Sequence, residues 1–280
     1  MKNILYLTDL YYEANGRVYS EEDLYITSRL RSHFDITIAH PLEAIPLLNE
    51  TDLVVFRNTG PVIGYQEYFN EFLNAVKQRS MLTFNSFDGK GDIKGKQYLP
   101  ELTKLGYPVI PTIEDKDQLH QLGEHEKYVL KLKNGADSIG MQILNAQELG
   151  NADVTGMLIQ PFINFTYEVS FYFLNNKFQY ALYAPNPNKR WELSAHEPTQ
   201  EDLDFAEKFI KWNNMTHGIT RIDACKLPDG SLLLVELEDL NPYLSIDRLN
   251  DEKRERFIKN LQEVLTDLKE PLDKIMPQEI

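Results

Sequence analysis

Asp223, Glu236 and Glu238 are three carboxylates in one segment, ITRIDACKLPDGSLLLVELEDLNP (219–242), whose pattern folds them onto one face. Asp229-Gly230 signals a hairpin, because a two-residue type I′ turn needs φ > 0 at both central positions and this dipeptide tolerates it. With Pro228 paired to Ser231, Asp223 stands opposite Glu236 and Arg221 opposite Glu238. Strand side chains alternate, so the three acids point the same way. Directly opposed side chains lie roughly 5 Å apart at Cβ. Two carboxylates there repel by about 3 kcal/mol at an effective dielectric of about 20, and by nearer ~1 kcal/mol in bulk water. That repulsion is expected to cost the metal-free protein stability. A divalent cation reverses its sign. An all-oxygen set suits Mg²⁺, which shares its octahedron among one or two carboxylates, phosphates and water. A solvated acidic face on an acidic chain explains the same residues, and both readings stand at this point. A three-residue turn would shift the register and dissolve the pairing.

A second group of residues could handle phosphate. In the strand 127–133, Lys127, Val129, Lys131 and Lys133 share one face, followed by a loop (134–140) with Gly135 and Gly140. A strand lysine meets phosphate oxygens as a point charge, and loop N–H groups add donors where glycine permits close approach. An amphipathic strand with solvated lysines is the plainer reading. The loop is not a Walker A motif, since no Gly-Lys-Ser/Thr is present, and no G-x-G-x-x-G follows the first strand. Arg57 ends a predicted parallel strand, where α/β sheets bind ligands, and is a candidate for a substrate carboxylate; a surface arginine is the simpler alternative. The one cysteine, Cys225, excludes internal disulfides and reads as a small buried filler. The six histidines form no metal-ligand spacing, and none sits beside a candidate serine nucleophile.

These residues need elements to position them. Residues 1–91 alternate apolar strands (3–7, 35–39, 52–56, 81–84) with helices starting at Ser20 and spanning 66–79, which predicts a parallel α/β sheet. The glycine- and charge-rich loop 85–96 reads as a domain boundary. Beyond it come a short helix (97–105), the strand 127–133, a buried strand 157–163, and a hairpin (168–174, 177–183) turning at Asn175-Asn176. A helix over 200–213, the acidic hairpin and an amphipathic helix (250–268) close the chain. This half reads as α+β.

The 280 residues hold one large or two ordinary domains, and 42% hydrophobic with 26% charged residues is an ordinary globular balance. The net charge of -14 argues against nucleic acid and anionic membranes as partners. No apolar run approaches the ~18 residues of a membrane span, and MKNILYLTDLYYE has no signal-peptide pattern. A cytoplasmic protein is the simplest expectation.

The order of the motifs is more specific than any one of them. Lys96 precedes a Gly106-Tyr107-Pro108 turn; then come the lysine strand and glycine loop, Gln160-Pro161-Phe162-Ile163, Glu168, and the terminal Asp…Glu-x-Glu hairpin. This succession resembles the ATP-grasp superfamily, especially its glutathione-synthetase-like carboxylate–amine ligases, over roughly residues 90–250. The resemblance implies an ATP-grasp domain (92–280) behind an N-terminal parallel α/β domain (1–91), with 97–156 as a smaller lid. It implies that Lys96 and Lys131 reach ATP phosphates, that Gln160, Pro161, Phe162 and Ile163 hold adenine, and that Glu168 holds the ribose. Asp223 and Glu236 match the Mg²⁺ ligands, with Mn²⁺ as an alternative ion, and Arg221 resembles the basic residue near the transferred phosphate. Where many members read Glu-x-Asn this chain has Glu236-Leu-Glu238, so either Glu238 or Asn241 takes the amide's place. The arginine expected after the second central strand is replaced by Leu182-Tyr183-Ala184, leaving Lys189 or Arg190 as substitutes. The implied activity is ATP- and Mg²⁺-dependent ligation of a small-molecule acid to an amine through an acylphosphate, with a homodimer as the suggested assembly. A small-molecule kinase of the same fold and a non-catalytic ATP sensor are the alternatives.

Overall fold

The computed structural model describes residues 1–14, 17–135, 140–186, 189 and 192–269. The N-terminal part runs β1 (Lys2–Leu7), the short strands β2 (Glu13–Ala14) and β3 (Arg17–Val18), α1 (Ser20–Leu30), β4 (Phe34–Ala39), α2 (Ala44–Leu47), β5 (Leu53–Phe56), α3 (Gln66–Gln78) and β6 (Leu82–Phe84). Its four longer strands form a parallel sheet in the order β4-β1-β5-β6. All four residues of β5 are buried, as an apolar strand covered on both faces requires. α3 supplies one cover: Phe69, Phe72, Ala75 and Val76 recur at helical spacing and pack with Phe56.

The chain continues through α4 (Tyr98–Lys104), β7 (Lys127–Leu132), β8 (Gln142–Asn145), α5 (Ala146–Asn151) and β9 (Met157–Pro161). The strands form an antiparallel sheet, β8-β7-β9, over a small core that includes Tyr128, Leu130, Leu149 and Ile159. This unit differs from the expected 97–156 lid at both ends. α4 buries Tyr98, Leu99 and Leu102 in the core of the next sheet instead, and β9 is the partner of β7.

β10 (Tyr167–Leu174), β11 (Lys177–Ala184), β12 (Ser194–His196), α6 (Gln200–Asn213), β13 (Ile219–Lys226), β14 (Leu232–Glu238) and α7 (Asp251–Asp267) complete the fold. The five strands are antiparallel in the order β12-β11-β10-β13-β14. The alternation of β10 feeds two cores. Val169, Phe171 and Phe173 pack with α4 and α6, while Tyr172 and Leu174 join α7 and the N-terminal sheet. α7 contributes Phe257, Ile258, Leu261 and Leu265 to that shared core, and the Asn250 side chain caps it by accepting from Lys253 N.

The loop 85–96 is no loose linker. Asp92 Oδ1 accepts from the N–H groups of Asp239 (2.7 Å) and Leu240 (3.0 Å), and Asp239 accepts in return from Gly91 N (2.9 Å) and Ile93 N (3.0 Å). A Cβ at Gly91 would stand 2.1 Å from Leu237 Cδ2, so only glycine lets the loop lie this close to β14. Among the described residues no helix is long and apolar enough to cross a membrane.

Candidate active site

The acidic hairpin reaches the expected pairing by an unexpected route. The turn holds three residues, Pro228–Gly230, closed by Leu227 N donating to Ser231 O (2.9 Å), with Gly230 at φ 87°. Asp229 Oδ1 accepts from Ser231 N (2.9 Å) and Ser231 Oγ (2.7 Å), which fixes the loop. That turn alone would put Val235 opposite Asp223 and turn Glu236 and Glu238 into the core. A bulge at Val235 inserts one residue and restores the pairs Asp223–Glu236 and Arg221–Glu238. The burial pattern records the switch. Leu232, Leu234 and Leu237 are buried, whereas Val235, Glu236 and Glu238 are half-buried on the other face.

Oxygens of Asp223, Glu236 and Glu238 all lie within 4.8 Å of one another. Two cations partly neutralise them. Arg221 donates to Asp223 through Nε (3.0 Å) and Nη2 (2.9 Å), reaches Glu238 with the same Nη2, and gives Nη1 to Tyr243 O (3.1 Å). Lys96, brought in by the 85–96 loop, ion-pairs with Glu236. Ser170 Oγ donates to Asp223 Oδ1 at 2.6 Å. Burial opposes the charge on Lys96, yet Glu236 overcomes it and holds the ammonium above its usual range. Burial likewise pushes Glu236 up, and Lys96, Lys131 and Arg221 together pull it below the ordinary carboxylate range. Glu238 is driven to about 8 by burial and by Asp223 and Glu236, against Arg221 and Lys96. Three carboxylates with oxygen-only donors in mutual reach, one of them held above its ordinary range by its acidic neighbours, fit a hard divalent cation. The expected metal-free repulsion is offset at Asp223 by Arg221 and at Glu236 by Lys96, and persists at Glu238, which its two acidic neighbours push up.

These groups line a chamber of about 720 Å³ between the N-terminal sheet, the 85–96 loop and the face of β10, β13 and β14. A second cavity of about 380 Å³ adjoins it and shares Lys96, Gly135, Glu168, Val235 and Glu236 with the chamber. Lys131, Gln160, Pro161, Phe162 and Ile163 line this slot beside apolar walls that include Ile110, Val129, Met141 and Ile143. Phe162 N donates to Lys127 O (2.9 Å), which leaves Pro161 at a non-hydrogen-bonded position of the ladder. There its missing N–H costs nothing and its carbonyl points away from β7. The Gln160 amide is buried and donates to Thr112 Oγ1 (2.8 Å), so its side chain braces the strand.

Of the remaining expected site residues, Asn241 alone among those described lines the chamber. Arg57 is 1% exposed and lines neither cavity. Its guanidinium pairs with Glu22 (3.3 Å) and Asp23 (3.5 Å), and Nη1 donates to Pro242 O (2.8 Å), so it is not a substrate arginine. Lys189 pairs with Glu192 (2.7 Å) at the surface, outside both cavities. Arg190 and residues 136–139 of the glycine loop lie outside the described residues. Asn241 lines the chamber and donates Nδ2 to Thr59 Oγ1 (2.7 Å) and Gly60 O (3.1 Å), which ties β14's end to the N-terminal sheet. Cys225 is fully buried, and burial raises its thiol to about 11. Sequence reasoning missed the Asp92–Asp239 latch, although Gly89 and Gly91 just before Asp92 were a signal of close backbone approach.

Known structures are similar to this arrangement along nearly its whole length. A D-cycloserine synthetase, DcsG, superimposes with a TM-score of 0.70 at 18% identity, covering 94% of this chain and 99% of its own. The D-alanine–D-alanine ligase of Bacillus anthracis in complex with ATP gives 0.64 at 14% identity, covering 95% and 98%. The macrocyclase MdnC of Microcystis aeruginosa, bound to its precursor peptide MdnA, gives 0.64 at 11% identity, covering 95% and 99%. The fold is that of the ATP-grasp ligases. No family model matches the sequence, and no curated protein matches it. At these identities the likeness concerns the fold, and the chemistry rests on the residues.

Proposed function

We propose that this chain is an ATP- and Mg²⁺-dependent ligase that joins a carboxylate to an amine, in the manner of the glutathione-synthetase-like enzymes. One observation carries the reading: an apolar slot opens, across Lys96, Glu168 and Glu236, into a chamber holding three carboxylates and Arg221. The slot takes adenine against Ile110, Val129 and Ile143, with the Pro161 carbonyl as its acceptor for the amino group. Glu168, at the junction, receives the ribose, and Lys131 with Lys96 meets the phosphates. Asp223, Glu236 and Glu238 are the residues that would hold a divalent ion. Such an ion offsets charge on the transferring phosphoryl group. Arg221 and Lys96 are then placed beside its equatorial oxygens.

In the first step the Pγ–O bond to ADP breaks as a carboxylate oxygen bonds to Pγ, giving an acylphosphate and ADP. In the second the amine attacks the acyl carbon, phosphate leaves, and the nitrogen gives up a proton to solvent. The β7–β9 unit, bearing the glycine loop, acts as the lid that excludes water from the acylphosphate.

A kinase of this fold stops after the first step, whereas Ala184, which lines the chamber in the stretch where an arginine is expected, favours an ATP sensor that turns nothing over. Measuring ADP and inorganic phosphate across a panel of amino acids and small acids distinguishes ligase from kinase. A ligase releases both products in step, dependent on the amine. A kinase releases ADP alone, and release of neither from any pair contradicts both.

A further inference from the structure

The loop 241–246 alternates between two environments. Asn241, Tyr243 and Ser245 line the chamber, while Leu244 and Ile246 are buried in the core shared with the N-terminal sheet. The backbone groups between them are held from behind by three side chains that line neither cavity: Arg57, Glu22 and Tyr180, whose hydroxyl donates to Leu244 O (2.9 Å). Arg57 Nη1 donates to Pro242 O (2.8 Å). Glu22 accepts from Leu244 N through Oε1 and from Ile246 N through Oε2, both at 3.0 Å. Glu22 and Arg57 also pair with each other at 3.3 Å, and both are buried. Ser245 is held at φ 51°, a left-handed backbone that residues other than glycine rarely adopt. On the chamber side the Tyr243 ring stacks on Tyr19 with centroids 4.2 Å apart, and Tyr19 immediately precedes the helix that carries Glu22.

We propose that Glu22 and Arg57 are positioning residues: acting through the 242–246 backbone, they set the wall formed by Tyr243 and Ser245 against which the acid or amine substrate binds. This rests on reading the chamber as the substrate side of a ligase. The geometry also says what the pair does not do. No residue of the loop lines the nucleotide slot, and its tie to the phosphate side is Tyr243 O, which accepts from Arg221 Nη1 (3.1 Å), so the pair acts chiefly on substrate affinity.

A thiol reporter tests this, because the only native cysteine, Cys225, is fully buried. Ser245→Cys places a shielded thiol in the loop, since Ser245 is 2% exposed. Adding Glu22→Gln, or the harsher Arg57→Met, should raise its rate of maleimide labelling at least tenfold. Affinity for Mg²⁺ with a nonhydrolysable ATP analogue should change less than twofold. For the best acid–amine pair of the panel, KM should rise tenfold or more while KM for ATP stays put. Phe209→Leu, a change in the core on the other side of the sheet with a comparable loss of melting temperature, should leave labelling and substrate KM at parental values. Unchanged labelling in a parent that binds the analogue, or equal labelling in the Phe209→Leu control, overturns the inference alone. A parent that binds no analogue overturns the ligase reading and this inference with it.

Discussion

Two clusters in this protein are built from the same residue types and do opposite work. Glu22, Asp23 and Arg57 lie sealed between α1, β5 and the 241–246 loop, each at most 6% exposed. Asp223, Glu236 and Glu238 with Arg221 and Lys96 face the chamber. In the sealed cluster the acids also take backbone and hydroxyl donors: Leu244 N and Ile246 N on Glu22, Tyr6 and Thr8 hydroxyls on Asp23. In the chamber cluster one acid takes the Ser170 hydroxyl, and the rest of the compensation comes from long cationic side chains. Fixed donors lock a carboxylate in place. Side-chain cations can be redirected to phosphate, so cavity access and donor type, rather than charge count, separate the chemical cluster from the structural one.

Removing a cation should therefore hurt stability most where nothing can move in to help. Arg57→Met leaves two buried acids uncompensated and should cost about 3–5 kcal/mol in urea unfolding. A loss below ~1 kcal/mol would erase the contrast. The sealed cluster should also show in the pH dependence. Burial raises Glu22 to about 7, against the pull of Arg57 and the two backbone donors, from an ordinary value of 4.5. A raised carboxyl favours the protonated folded state, so its contribution is full below about pH 4.5 and is lost as pH rises through about 7. That contribution is on the order of 3 kcal/mol, and Glu22→Gln, which cannot titrate, should flatten the corresponding slope of stability against pH. An identical slope in the variant would place Glu22 outside the sealed cluster's energetics.

On the chamber side the effects should fall on ligands instead. Lys131→Ala should weaken ATP binding by about 1.5–3 kcal/mol, read by calorimetry, with melting temperature near the parent's. ATP affinity at the parental level would remove Lys131 from the phosphate site. The smallest effect is at Cys225, next to Ala224 on the same hairpin: its buried, raised thiol should resist maleimide for hours at pH 7.5 in the folded protein, and rapid labelling would show that the hairpin opens.

Local pattern carried the elements well, because strands and helices are written in short-range periodicity. α6 spans 200–213 as expected, and the β10–β11 hairpin turns at Asn175, whose φ is 54°. The Asp223–Glu236 pairing was legible only because two misreadings offset each other: the turn is one residue longer than expected, and the bulge at Val235 returns the register. A bulge has no local signature when the residues leading into it, Leu232 to Val235, are all apolar. Arg57 was misplaced for a different reason. Its partners lie 35 and 185 residues away, and Glu22 and Asp23 read in sequence as ordinary acids of a helix's first turn. Long-range pairing leaves no periodic trace. The lid boundary failed in the same way, since the β7–β9 partnership crosses the point where the sequence alone suggested a break.

Glu236→Gln puts the central claim, that the hairpin acids hold the metal for phosphoryl transfer, to its most direct test. The structure sets one expectation the sequence did not: Gln leaves the largely buried Lys96 without its anionic partner, so the metal-free variant should lose about 1–3 kcal/mol rather than gain stability. The deciding measurement is ATP turnover together with the rise in melting temperature caused by Mg²⁺ and a nonhydrolysable ATP analogue. At a hundredfold excess over Kd the parent should gain about 2.7 kcal/mol, the variant should gain far less, and its turnover should fall about a thousandfold or more. A Glu236→Gln protein with parental turnover and a parental melting shift would contradict the account.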